Sequence, residues 1–276
     1  MSIQLMSKAA EKKWARYPDF DIQYQEVAGQ QLRVAIRPGS LQNKPPLLLL
    51  NGIGGSVEFL QPLADELTGV EIIAFDVPGS GGSPSPLVPY RFSGLSELTV
   101  KLLNKLNYGQ VNVMGYSWGG ALAQQFVHDF SRRCRKLVLA ATTMGVVAVP
   151  GHVSELLRMA WQPKKYFRQA IRGALINNYS RHESLPEKPP SQGLRGFSYQ
   201  LLTGYGWTSF LWLSKVRNDT LLLAGDNDMI VPAINMKLMA RLMANADLKL
   251  LAGDHFFPII QPKQTAELVL NFCDYN

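Results

Sequence analysis

Gly115-Tyr116-Ser117-Trp118-Gly119 follows the apolar run Val111-Asn112-Val113-Met114 and leads into Gly120-Ala121-Leu122-Ala123-Gln124-Gln125-Phe126. A G-x-S-x-G where a strand turns into a helix commits the chain to a sharp, strained junction. Glycines two residues on either side of the serine remove Cβ atoms that would otherwise collide. Such a turn lifts the Ser117 hydroxyl clear of the sheet and makes it the candidate nucleophile. The following helix leaves its first N–H groups unpaired at the positive end of its dipole, so the Trp118 N–H is a candidate oxyanion donor.

The surrounding pattern is that of a doubly wound α/β sheet. Residues 21–27 and 31–37 alternate apolar and polar side chains, as an antiparallel edge pair with one solvated face would, and they precede the main sheet. Residues 47–50, 70–75, 111–114, 137–140, 220–224 and 248–251 are short apolar runs suited to parallel strands covered on both faces. Helical periodicity is predicted over 57–67, 95–106, 120–130, 233–243 and 266–272, with Pro232 and Pro262 just ahead of the last two.

The β–α rhythm breaks once, after 137–140. The organisation expected is an N-terminal extension over 1–20, a core over 21–143 and 215–276, and an inserted helical lid over 144–214. Trp161, Tyr166, Phe167, Tyr199, Trp207, Phe210 and Trp212 gather in the lid, chiefly as packing, and residues 182–191 have the aperiodic, proline-rich character of a loop.

Composition narrows the function classes. The chain has 276 residues and a formal charge of +7, with Arg132-Arg133-Cys134-Arg135-Lys136 as its densest basic run. No nucleic-acid-binding motif accompanies that run, and its place between a helix and a strand suits a solvated face. The longest nearly apolar stretch, 137–149, is shorter than the ~20 residues of a membrane helix. Cys134 and Cys273 lie far apart in sequence and form no metal-ligand or disulfide spacing. With no secretory signal pattern at the N-terminus, a cytoplasmic protein is expected.

Serine hydrolysis needs a base, a carboxylate to orient it and donors for the oxyanion. Of the four histidines, His128 falls on the helix after the elbow, His152 opens the lid and His182 lies in the proline-rich loop. His255 follows the last strand, where a base belongs. Asp226 and Asp228 both follow strand 220–224; Asp228 is favoured as the acid because it lies further out in the loop, while Asp226 is placed to shape the turn. Leu50-Asn51-Gly52-Ile53-Gly54-Gly55 occupies the place of the second oxyanion donor, and the Ile53 N–H is the candidate. A phosphate cradle there is disfavoured, since neither G-x-G-x-x-G nor a P-loop lysine is present. Asp76-Val77-Pro78-Gly79-Ser80-Gly81-Gly82-Ser83 is assigned a structural role.

Together these residues resemble the α/β-hydrolases, and more narrowly the intracellular poly(3-hydroxyalkanoate) depolymerases that act on medium-chain-length polymer. The likeness is carried by Asn51-Gly52-Ile53-Gly54, Ala74-Phe75-Asp76-Val77-Pro78-Gly79, Pro89-Tyr90-Arg91-Phe92 and Tyr108-Gly109-Gln110-Val111-Asn112-Val113. It continues through Ser117-Trp118-Gly119-Gly120, Gly206-Trp207-Thr208-Ser209 and Ile234-Asn235-Met236. The resemblance implies a Ser117–His255–Asp228 triad acting on a hydrophobic ester with no metal or organic cofactor, at a polymer granule surface. Asp254 stands where that family usually has glycine, and residues 164–195 resemble it weakly. A carboxylesterase on small esters and a non-catalytic ligand-binding protein are the alternatives.

Overall fold

The computed structural model describes residues 20–161 and 193–276. An eight-stranded sheet forms its centre, made of β1 (Asp21–Val27), β2 (Gln30–Arg37), β3 (Leu47–Leu50), β4 (Ile72–Phe75), β5 (Val111–Tyr116), β6 (Cys134–Ala140), β7 (Asp219–Gly225) and β8 (Ala246–Leu251). Their spatial order is β1-β2-β4-β3-β5-β6-β7-β8. β1, β2 and β4 pair antiparallel, and every pair from β4 onward is parallel.

The β1–β2 hairpin turns through Ala28 and Gly29, both at positive φ (51° and 77°). That geometry matches the twist of the flanking strands. The hairpin comes first in the chain and forms the edge of the same sheet, because β2 pairs with β4. β1 has the expected solvated face, but β2 buries Leu32 to Ala35 in succession. Arg33, a polar position of the alternating run 31–37, is only 4% exposed and is paired with Glu58 and Asp76.

Strands β3, β5, β6 and β7 are almost wholly buried, and alternate residues feed two cores. Leu48, Leu50 and Val113 join Leu122 and Phe126 on one face, whereas Leu47, Leu49 and Met114 join Leu63 and Val269 on the other. The covering helices are α1 (Gln61–Glu66), α2 (Phe92–Lys105), α3 (Trp118–Asp129), α4 (Val153–Trp161), α5 (Leu194–Gly204), α6 (Ile234–Leu242), α7 (Phe257–Ile260) and α8 (Pro262–Phe272).

α1 is shorter than its periodicity predicts. Residues 57–60 form turns instead (Phe59 N–H to Ser56 O, Gln61 N–H to Glu58 O), with Val57 and Glu58 already held by Asp76 and Arg33. α8 starts earlier than expected, with Pro262 in its first turn. α7 is four residues long, too short to show a period.

Helices α4 and α5 lie between β6 and β7 in the chain. From that interval, Trp207 packs on Phe92 (4.9 Å between centroids) and Trp212 stacks on His128 (4.2 Å), so both work as packing. Phe210 is 46% exposed. Tyr166, Phe167, loop 182–191 and nearly all of the N-terminal extension lie outside the described residues.

The basic run is largely taken up by the fold. Arg133 donates to Asn104 Oδ1 and Tyr108 O, and Arg135 and Lys136 both reach Asp274. Those contacts clamp the C-terminal segment onto β6. Cys134 and Cys273 are free and buried.

Candidate active site

The C-terminal ends of β3, β5, β7 and β8 converge, where crossover loops of a doubly wound sheet leave a crevice. Ser117 leaves β5 at φ 53°, ψ −120°, a conformation that costs a non-glycine residue of the order of 1–3 kcal/mol. Its neighbours explain why the strain holds. A Cβ on Gly119 would lie 2.2 Å from Leu50 O, and one on Gly115 would lie 2.4 Å from Gly119 O. Only glycine lets α3 approach β3 and β5 this closely. Ser117 N–H is bonded to Ala140 O at 2.8 Å, which locks the turn to β6.

His255 Nε2 lies 2.9 Å from Ser117 Oγ, and its Nδ1 lies 2.7 Å from Asp228 Oδ2. Asp228 Oδ1 in turn accepts the N–H groups of Ile230 and Val231 at 2.9 and 2.8 Å. Held by these bonds, the acceptor-only carboxylate assigns the proton of His255 to Nδ1 by hydrogen bonding. Nε2 is left to accept the serine proton. Both Asp228 and His255 are buried, which strengthens their interaction by excluding water.

Asp226 is solvent-exposed and accepts the Gly253 N–H at 3.0 Å. It ties the β7 loop to the β8 loop and does not reach His255. Asp254, the unusual residue before the histidine, accepts the Phe256 N–H at 2.8 Å and so shapes the same loop. His128 is engaged by Trp212, His152 is exposed ahead of α4, and His182 lies outside the described residues.

Loop 51–55 lies directly against the elbow, where a Cβ on Gly52 would be 3.3 Å from Ser117 Cβ. Its turn is closed by Gly55 N–H to Gly52 O at 3.1 Å. Among the described residues, the Ile53 and Trp118 N–H groups have no hydrogen-bond acceptor, so both are available to a negative oxygen.

Asp76 fixes this loop from behind. Its Oδ1 accepts Val57 N–H, its Oδ2 accepts Gly82 N–H, both at 2.8 Å, and Arg33 completes the pair. Ser80 Oγ donates to Gly55 O. Burial, with the Glu58 charge adding to it, pushes the Asp76 carboxyl up to about 7, against the pull of Arg33 and the two N–H groups.

Two contributors went unread in the sequence. Tyr116 donates its hydroxyl to His255 O at 3.0 Å, and Gln200 on α5 accepts the Gly54 N–H of loop 51–55. Tyr116 had a signal, since a large polar aromatic inside a glycine elbow must go somewhere. Gln200 had none.

This strand-end serine elbow on a mostly parallel sheet defines a class. The chain belongs to the alpha/beta hydrolase fold family, whose profile matches residues 45–186. Within it, the chain is 46% identical over 257 residues to the poly(3-hydroxyalkanoate) depolymerase of Ectopseudomonas oleovorans, covering 90% of each protein. Among solved structures, a hydrolase from Pseudomonas aeruginosa PA01 superposes with a TM-score of 0.74 at 23% identity, over 91% of this chain and 98% of its own. The meta-cleavage product hydrolase from Pseudomonas fluorescens IP01 gives 0.75 at 18% identity, over 92% and 97%. At those identities the likeness is one of fold.

Proposed function

We propose that the protein is a serine esterase that hydrolyses the ester links of a hydrophobic 3-hydroxyacyl polymer. The observation that carries the chemistry is the unbroken chain from Ser117 Oγ through both nitrogens of His255 to Asp228. The substrate class is supported by the 46% identity to a poly(3-hydroxyalkanoate) depolymerase over 90% of both chains.

In this scheme His255 Nε2 takes the hydroxyl proton as Ser117 Oγ attacks the ester carbonyl, and Asp228 stabilises the imidazolium through Nδ1–H. The oxygen of the tetrahedral intermediate sits between the Ile53 and Trp118 N–H groups. His255 then returns the proton to the departing 3-hydroxyl as the C–O bond breaks, leaving an acyl-serine. Water, deprotonated by the same nitrogen, attacks the acyl carbonyl and releases the acid and Ser117. The step needs no metal or organic cofactor.

The place of action we infer is the surface of polymer granules inside the cell, with segment 144–214 acting as a lid. Leu157, Leu194, Leu202, Tyr205 and Leu211 of this segment leave large apolar side chains in solvent, between 56% and 88% exposed. Such a surface suits contact with a hydrophobic polymer. Among the described residues, no helix is long and apolar enough to cross a membrane.

Turnover on polymer granules, set against turnover on short p-nitrophenyl esters, tests the reading. Release of 3-hydroxy acids or oligomers from granules, lost in Ser117→Ala, is expected. Hydrolysis of small esters with inert granules would make the protein a general carboxylesterase instead.

A further inference from the structure

Helix α5 belongs to the inserted segment, yet it is fastened to the core at several points. A Cβ on Gly196 would lie 1.9 Å from Gly79 O, so the two backbones touch. Thr203 Oγ1 lies 3.0 Å from Tyr90 O, sharing its one proton with Tyr199 O at 2.7 Å, and Arg195 and Tyr199 both donate to Leu87 O. Gln200, on the same helix, is 1% exposed.

Gln200 meets the candidate oxyanion hole twice. Its side-chain Oε1 accepts the Gly54 N–H at 2.8 Å. Its main-chain carbonyl accepts the indole Nε1–H of Trp118 at 3.0 Å. Gly54 N–H belongs to the peptide plane that starts at the Ile53 carbonyl, and Gly54 itself is at φ 73°. Holding that plane restrains the ψ of Ile53, one of the two torsions through which the Ile53 N–H is joined to it. The indole is the side chain of the other donor residue. One glutamine on this helix thus touches both segments that carry the candidate donors, although it contributes no donor of its own.

We propose that Gln200 is a positioning residue that makes the oxyanion hole depend on the seating of α5. With α5 docked, both donor segments are oriented before the substrate carbonyl arrives, which is the condition under which fixed dipoles lower a barrier most. With α5 lifted, Gly54 N–H and the indole lose these acceptors and the hole loosens. This inference rests on the serine-esterase reading above.

The test uses the full chain and a p-nitrophenyl alkanoate. Ser117→Ala is measured first: if it keeps the hydrolysis, the esterase reading fails, whatever Gln200 does. Gln200→Met keeps length and removes the amide acceptor. The expected result is a kcat lower by roughly 10- to 100-fold with KM changed by less than about threefold. An alkylboronic acid, whose tetrahedral adduct places an oxygen in the hole, should weaken in parallel while the unfolding midpoint stays near that of the wild type. A role confined to packing would instead lower the midpoint and leave kcat of the folded fraction unchanged. Trp118→Phe removes the indole donor alone and decides the matter if Gln200→Met does not fold; its kcat should fall by at least about threefold. An unchanged kcat in a folded Gln200→Met, or in Trp118→Phe where that variant decides, overturns the proposal.

Discussion

Asp228, after β7, and Asp76, after β4, are both buried carboxylates that each accept two loop N–H groups. Asp228 takes those of Ile230 and Val231; Asp76 takes those of Val57 and Gly82. The third partner separates them. Asp228 meets His255, an imidazole that can donate from one ring nitrogen while accepting at the other, and His255 meets a serine. Asp76 meets Arg33, which does not release its proton, and Arg33 meets Glu58. The same anchoring device holds a histidine–serine pair at one strand end and an arginine–glutamate pair at the other, and the partners' chemistry separates the two.

The largest effect that separates the two regions is expected from Ser117→Ala. Ester turnover should fall by roughly 10,000-fold or more with thermal stability unchanged, measured by initial rates and by the unfolding midpoint. Asp228→Asn should follow, lowering kcat by roughly 1,000- to 10,000-fold because an amide no longer enforces the Nδ1–H tautomer. Equal damage from Asp228→Asn and Asp226→Asn would erase the distinction between the two β7-loop acids.

Asp76→Ala should act on stability first. It leaves Arg33 with one partner and strips two buried N–H groups, a loss of about 3–5 kcal/mol read from urea unfolding. A gentler change sharpens the same contrast. With its carboxyl raised from 3.8 to about 7 in the fold, Asp76 keeps a proton that the unfolded chain has released. Its contribution is therefore most favourable below 3.8 and declines as pH rises through 7. Asp76→Asn should shrink the difference in urea midpoint between about pH 5 and about pH 8. The smallest effect is expected for Asp226→Asn, an exposed side chain with one backbone hydrogen bond: kcat within about threefold and stability within about 1 kcal/mol.

Local chemistry explains how much of this was legible in the sequence. The elbow was readable because Gly115 and Gly119 are required by contacts only a few residues away or at the adjoining strand end, and those contacts dictate composition. The parallel strands were readable because burial on both faces leaves continuous apolar runs such as Leu47–Leu50. Asp228 and His255 come together beside Ser117 in the chain order that the elbow leads one to expect.

Arg33 misled because an alternating β2 looks solvated unless its two carboxylate partners are known. Those partners lie 25 and 43 residues away in the chain. The truncation of α1 has the same origin, since Glu58 carries helical periodicity but is committed to Arg33. Gln200 was beyond sequence reading, because a glutamine on a helix of an inserted segment looks like any surface residue until α5 is seated. Tertiary contacts of long separation, and not local propensity, account for each of these differences.

The central claim is that Ser117 is a nucleophile activated by His255 and Asp228. A fluorophosphonate probe followed by peptide mass analysis tests it most directly. The account predicts one adduct, on the peptide carrying Ser117, formed rapidly by the wild type and far more slowly by Asp228→Asn. Absence of an adduct, or its appearance on another residue, would contradict it.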